Sequence, residues 1–167
     1  MDDEIYSIAY ETGKLLALAG FTIVNGGYGR TMLAAAKGAF EAGGKTIGVT
    51  CSAFKRGKTN EYITREIITS TLDERLNTLI ELGQGYIVLP GSTGTLLELA
   101  KVWELKNKSF IPESKPIILI GEFWKLLVDL VAKEDPASCR HIKLAAEPKE
   151  LKDFLFSDFM KNIGAKC

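Results

Sequence analysis

Two glycine-rich runs in this chain of 167 residues have the composition to hold an anion. The first is Asn25-Gly26-Gly27-Tyr28-Gly29-Arg30-Thr31-Met32. The second is Pro90-Gly91-Ser92-Thr93-Gly94-Thr95, leading into Leu96-Leu97-Glu98. Glycine lets the backbone turn sharply and approach a ligand with no side chain in the way. A helix that follows such a turn offers free N–H groups and the positive end of its dipole. Either run alone reads more simply as a tight strand-to-helix turn; the two together point to a phosphate site. Neither has the G-x-G-x-x-G spacing of a dinucleotide fingerprint. Gly44-Lys45-Thr46 is similar to the end of a P-loop, but residue 39 is alanine and the run precedes a strand, which excludes that ATPase chemistry.

Other reactive groups are sparse. The chain has one histidine, His141, and no G-x-S-x-G elbow, so a Ser–His–Asp machine finds no support. Cys139, His141 and Cys167 lack zinc-type pairing, and no metal is expected. His141 reads as a loop histidine beside a buried cysteine. Cys51, at a predicted strand end, either neighbours the site or is simply buried. Lys55, Arg56 and Lys58 either gather phosphate or form a solvated loop.

The elements that must position these residues follow from periodicity. Ile5, Ile8, Ala9, Thr12, Leu15, Leu16 and Ala19 have helical spacing, with Asp2 or Asp3 as cap and Gly20 as stop. The remaining predicted helices span 30–42, 72–83, 95–106 and 122–133, with a last one near Pro148. Predicted strands span 21–24, 46–49, 66–69, 86–89, 116–120 and 142–145. Thr71-Leu72-Asp73-Glu74 has capping-box spacing. Strands alternating with helices predict a parallel sheet covered on both faces, within a single α/β domain over residues 1–167.

Composition agrees with that reading. Hydrophobic residues make up 46% and charged residues 25%, as in soluble globular domains. Twenty-one basic residues cancel 21 acidic ones, so no electrostatic footprint for nucleic acid is expected. No apolar run approaches the roughly 20 residues that cross a bilayer, so no membrane partner is expected. Three cysteines without framework spacing and an acidic N-terminus point to the cytoplasm.

Pro90-Gly91-Ser92-Thr93-Gly94-Thr95-Leu96-Leu97-Glu98 resembles the P-G-G-x-G-T-x-x-E signature of the LOG family, also described as "possible lysine decarboxylase". Gly26-Gly27-Tyr28-Gly29-Arg30-Thr31-Met32 is similar to that family's G-G-x-x-G-x-M loop, and Arg75 stands where the family carries an arginine. The resemblance runs from about residue 4 to residue 133. It implies a Rossmann-like, doubly wound parallel sheet, a homodimer, and hydrolysis of the N-glycosidic bond of a nucleoside 5′-monophosphate. It also implies Glu98 and Arg75 as catalytic residues. Gly26, Gly27, Gly29, Gly91, Ser92, Thr93, Gly94 and Thr95 would bind the nucleotide phosphate, with no cofactor. Relatives with similar loops only bind nucleotides or carry molybdenum cofactor, so a non-catalytic carrier is the alternative.

Each assignment has a structural competitor. Thr95 to Glu98 has capping-box spacing, Arg75 beside Asp73 and Glu74 reads as a solvated surface charge, and Tyr28 either stacks on a base or sits on an exposed loop. Three departures from the family bear on catalysis. Ser92 replaces a glycine, Leu76 replaces a lysine, and the family's opening strand is not seen ahead of the first helix. That strand is central in the doubly wound order, so its absence would leave a gap between its neighbours; either the start is truncated or another segment fills the position. The helix after the signature is apolar nearly all round, which predicts burial against a partner subunit.

Overall fold

The computed structural model describes residues 3–54 and 58–154. The readings on Asp2, Lys55, Arg56 and Cys167, and any helix beyond residue 154, lie outside them. The chain divides into two compact units, Met1–Gly83 and Gln84–Cys167.

In the first unit, α1 (Asp3–Leu18) leads to β1 (Ile23–Asn25), α2 (Thr31–Glu41), β2 (Thr46–Cys51), β3 (Arg65–Thr69) and α3 (Leu72–Leu82). The strands form a parallel sheet in the order β1-β2-β3. Helix α1 stops where Gly20 and Phe21 donate N–H bonds back to Ala17 and Leu16 at 2.9 and 3.0 Å. Gly43 and Gly44 close α2 in the same way, onto Phe40 and Ala39, both at 2.9 Å. Both stops agree with the sequence reading.

The α1–α2 contact is built from small residues: Ala9 and Gly13 on one helix, Ala34, Ala35 and Gly38 on the other, all buried. A β-carbon on Gly13 would lie 2.0 Å from the Ala35 carbonyl oxygen, and one on Gly38 2.0 Å from that of Tyr10. The two backbones therefore touch, and this contact sets how α2 crosses α1. Tyr10 adds a hydroxyl bond to the Glu41 carboxylate at 2.6 Å. In an isolated helix, Gly38→Ala gains about 1 kcal/mol of propensity. Here the clash with backbone outweighs that gain, because overpacking costs about 1–3 kcal/mol. Gly38→Ala is expected to lower stability in chemical denaturation; a stabilised variant would show that the helices are not in contact.

The second unit runs β4 (Tyr86–Val88), α4 (Thr93–Asn107), β5 (Ile117–Ile120), α5 (Lys125–Val131), a 3-10 turn (Ser138–His141), β6 (Ile142–Ala145) and a second 3-10 turn (Pro148–Glu150). Its parallel sheet has the order β4-β5-β6. All four residues of β5 are fully buried, as expected for a central parallel strand covered on both faces. The indole N–H of Trp103 donates to the Ser138 carbonyl at 3.1 Å, and that of Trp124 to Leu89 at 3.0 Å. These bonds tie α4 to the turn before β6, and the residue before α5 to the end of β4. Lys106 is buried, with its ammonium bonded to the carbonyls of Glu113 and Lys115.

The strands lie in two parallel ladders. β1 ends one and β4 ends the other, so each has a single hydrogen-bonded neighbour. The apolar character of α4 resolves into a buried face of Leu99, Val102 and Trp103, with Leu96 and Leu97 exposed.

Burial pushes the Tyr86 phenol up to about 12 from its ordinary 10.0, because the phenolate is the form that burial disfavours. The folded state thus holds this proton more tightly than the unfolded chain. Its contribution is complete below pH 10 and is lost as pH rises towards 12. Phenolate absorbance should show a tyrosine titrating at about 12 that disappears in Tyr86→Phe.

Candidate functional site

In the first unit, the chain leaves β1 at Asn25 and turns through the glycines into α2. The Asn25 side chain organises the turn: Oδ1 accepts the Gly27 N–H at 2.8 Å, and Nδ2 donates to the Met32 carbonyl at 3.0 Å. Gly27 has φ +74° and faces Gly48 of β2 so closely that a β-carbon would lie 3.1 Å from the Gly48 Cα. Asn60 grips the loop from outside. Its backbone N–H donates to the Gly27 carbonyl at 2.8 Å, and its Nδ2 donates to the carbonyls of Gly27 and Tyr28 at 3.1 and 2.8 Å.

Tyr28 is buried, not exposed. Its hydroxyl accepts the Cys51 N–H at 3.0 Å, and its ring centroid lies 6.3 Å from that of Phe54. The phenol therefore fastens the loop to the end of β2. Cys51 is buried at that same strand end, as one of its two readings had it.

Arg75 departs furthest from the surface-charge reading. Thr71 caps α3 by accepting the Glu74 N–H at 3.1 Å, and the Glu74 carboxylate accepts the Ser70 N–H at 2.7 Å, so the predicted cap forms. One residue on, the Arg75 side chain runs inward and is only 7% exposed. Its Nε donates to the Val49 carbonyl of β2 at 2.9 Å, and the guanidinium carbon lies 5.8 Å from the Phe54 ring centroid. The guanidinium also lies against Gly26, where a β-carbon would fall 1.9 Å from Nη2. Arg75 and the first glycine loop, far apart in sequence, are thus brought together.

Beside this loop is an open cleft of about 510 Å³, lined by Tyr28, Gly29, Arg30, Met32, Leu33, Lys58 and Asn60. Among the described residues, its lining carries two cationic side chains, Arg30 and Lys58, and no carboxylate. Arg30 adopts φ +60° and ψ −132°, in the register of the third glycine of G-G-x-x-G-x-M. Asn60 and the Arg30 conformation escaped the sequence reading. Asn60 lies 33 residues from Gly27 in a stretch without period, and no pattern announces which side of the turn it will hold.

In the second unit, Pro90–Thr95 follows β4 at its carboxyl end. Helix α4 begins at Thr93, with Ser92 as its cap at φ −98°. Serine meets no strain there, so the loss of the second glycine leaves this turn intact. A β-carbon on Gly91 would lie 2.2 Å from Thr95 Oγ1, so Thr95 folds back over Gly91. Thr93 and Gly94 are exposed. With the cap at Ser92, Glu98 is the sixth residue of the helix, beyond the first turn. The capping-box reading of Thr95 and Glu98 therefore fails. Glu98 is half-buried. His141 is buried at the amino end of β6, opposite the carboxyl end of the second unit's sheet, with Nδ1 3.4 Å from the Glu113 carboxylate.

A family model described as "Possible lysine decarboxylase" matches residues 32–152. The chain belongs to the LOG family. That match starts at Met32, just after the first glycine loop, and takes in Arg75 and the whole Pro90–Glu98 signature. A Mycobacterium tuberculosis protein named cytokinin riboside 5′-monophosphate phosphoribohydrolase is 33% identical over 119 residues. These make up 70% of this chain and 63% of that protein, so the chain spans less than two thirds of that relative's length. Among solved structures, the molybdenum cofactor carrier protein of Chlamydomonas reinhardtii has a TM-score of 0.78 at 22% identity, over 96% of this chain and 91% of that one. The molybdenum cofactor binding protein of Rippkaea orientalis has a TM-score of 0.73 at 26% identity, over 92% and 86%. These likenesses make the LOG chain Rossmann-like in fold.

The Arg75–Gly26 contact is open to direct test. Gly26→Ala puts a methyl group where the guanidinium lies. Stability is expected to fall by about 1–3 kcal/mol, the range for overpacked cores. A variant unchanged in denaturation would show that the guanidinium lies elsewhere.

Proposed function

We propose that this LOG protein hydrolyses the N-glycosidic bond of a nucleoside 5′-monophosphate, releasing free base and ribose 5-phosphate. The observation that carries this reading is Glu98. It is a half-buried carboxylate beyond the first turn of α4, in a signature shared with a family that includes a phosphoribohydrolase 33% identical to this chain. Breaking a ribosyl C–N bond builds positive charge on the sugar. A carboxylate beside it stabilises that charge and orients water. The water oxygen bonds to C1′ as the C–N bond breaks, and the base departs with a proton.

Glu98 would take the carboxylate role, and Arg75 would bind phosphate or a ribose hydroxyl through its planar fork. Backbone amides of Gly29, Gly94 and Thr95 would hold the 5′-phosphate, with Gly26, Gly27, Gly91, Ser92 and Thr93 shaping the two turns. Gly27 acts through shape, because its N–H already bonds Asn25. No described helix is long and apolar enough to cross a membrane. A cytoplasmic homodimer, with the whole chain serving as one nucleotide-binding domain, completes the reading. The exposed Leu96 and Leu97 of α4 support a partner subunit.

The second reading is a carrier of a phosphorylated cofactor. It is favoured by the likeness to two molybdenum cofactor proteins over nine-tenths of this chain. Incubation with a panel of nucleoside monophosphates separates the two. Release of base and ribose 5-phosphate is expected, with Glu98→Gln lowering kcat by at least about 100-fold, the scale of a lost electrostatic contact, while phosphate binding persists. Binding without turnover on every base supports the carrier.

A further inference from the structure

Arg30 occupies backbone space that belongs to glycine. At φ +60° and ψ −132° a β-carbon is strained, and the family motif has glycine in this register. The strain is held in place from several sides. Asn25 fixes the Gly27 N–H, Asn60 grips the carbonyls of Gly27 and Tyr28, and the Tyr28 hydroxyl is anchored at Cys51. On the other side, the Arg30 carbonyl accepts the Ala34 N–H at 3.0 Å. A chain that needed only the turn would be served better by glycine. What arginine adds is a cationic side chain on a residue that lines the cleft together with Lys58, Met32 and Leu33.

We propose that Arg30 is a specificity-determining residue, selecting ligands that present a phosphomonoester dianion to this cleft. The inference rests on the phosphate-binding part of the function proposed above. A planar guanidinium matches two phosphate oxygens at once, and Lys58 adds a point charge. A nucleoside without phosphate offers these cations nothing.

The test uses the full chain with AMP, adenosine and inorganic phosphate in calorimetric titrations, and compares Arg30→Gly with Arg30→Ala. Arg30→Gly removes both the strain and the cation, so its Tm should rise by a few degrees while AMP and phosphate bind about tenfold or more weakly. Arg30→Ala keeps a β-carbon, so it should lose the same affinity without the gain in Tm. Adenosine binding should be unchanged in both.

An Arg30→Gly protein that binds AMP like the unsubstituted chain overturns the assignment. So does an unsubstituted chain that binds neither AMP nor phosphate. Base release, followed in the same samples, tests hydrolysis separately. Turnover with AMP affinity unchanged in Arg30→Gly sinks the role of Arg30 alone. Weakened binding without turnover retains it and counts against hydrolysis of AMP, while the panel of bases tests the hydrolase itself.

Discussion

A guanidinium taken out of water needs a fixed polar partner, and Arg75 finds one in the Val49 carbonyl of β2. That bond commits α3 to the end of the first sheet and aims the side chain at the turn after β1. The turn must then present a residue without a side chain, which Gly26 does. Other features of this half follow. Asn25 and Asn60 hold the peptide groups on either side of the contact, Tyr28 anchors the loop to Cys51, and Gly27 closes against Gly48. The glycine loop is thus a rigid turn with its polar groups largely assigned.

Small residues do comparable work behind the site. Gly13 and Gly38 let α1 and α2 meet backbone to backbone, which fixes the angle at which α2 leaves the loop. In the second unit the equivalent support comes from large residues. Trp124 bonds the carbonyl of Leu89 at the end of β4, and Thr95 folds over Gly91. One loop is tied down by side-chain amides and a buried cation, the other by an indole and its own threonine.

Periodicity marks every strand and the five main helices to within a few residues, because a buried face repeats at fixed spacing whatever lies against it. The predicted stops at Gly20 and Gly43 and the Thr71 cap are local devices, complete within a few residues, and they form as read. The motifs were legible for a similar reason: glycine, proline and glutamate at set intervals are a property of one turn and one helix.

What the sequence determined by itself was therefore the α/β order, the two glycine loops, and membership of a family. Tertiary structure alone decided that Arg75 is buried and not a surface charge, that Tyr28 faces inward, that Asn60 clamps the loop, and that Arg30 holds a glycine's conformation. It also set the start of α4 at Thr93, which puts Glu98 beyond the first turn. Each of these depends on which distant backbone group lies within about 3 Å, the reach of a hydrogen bond. Spacing along the chain carries no such information: the partners of Arg75 and Asn60 lie 26 and 33 residues away.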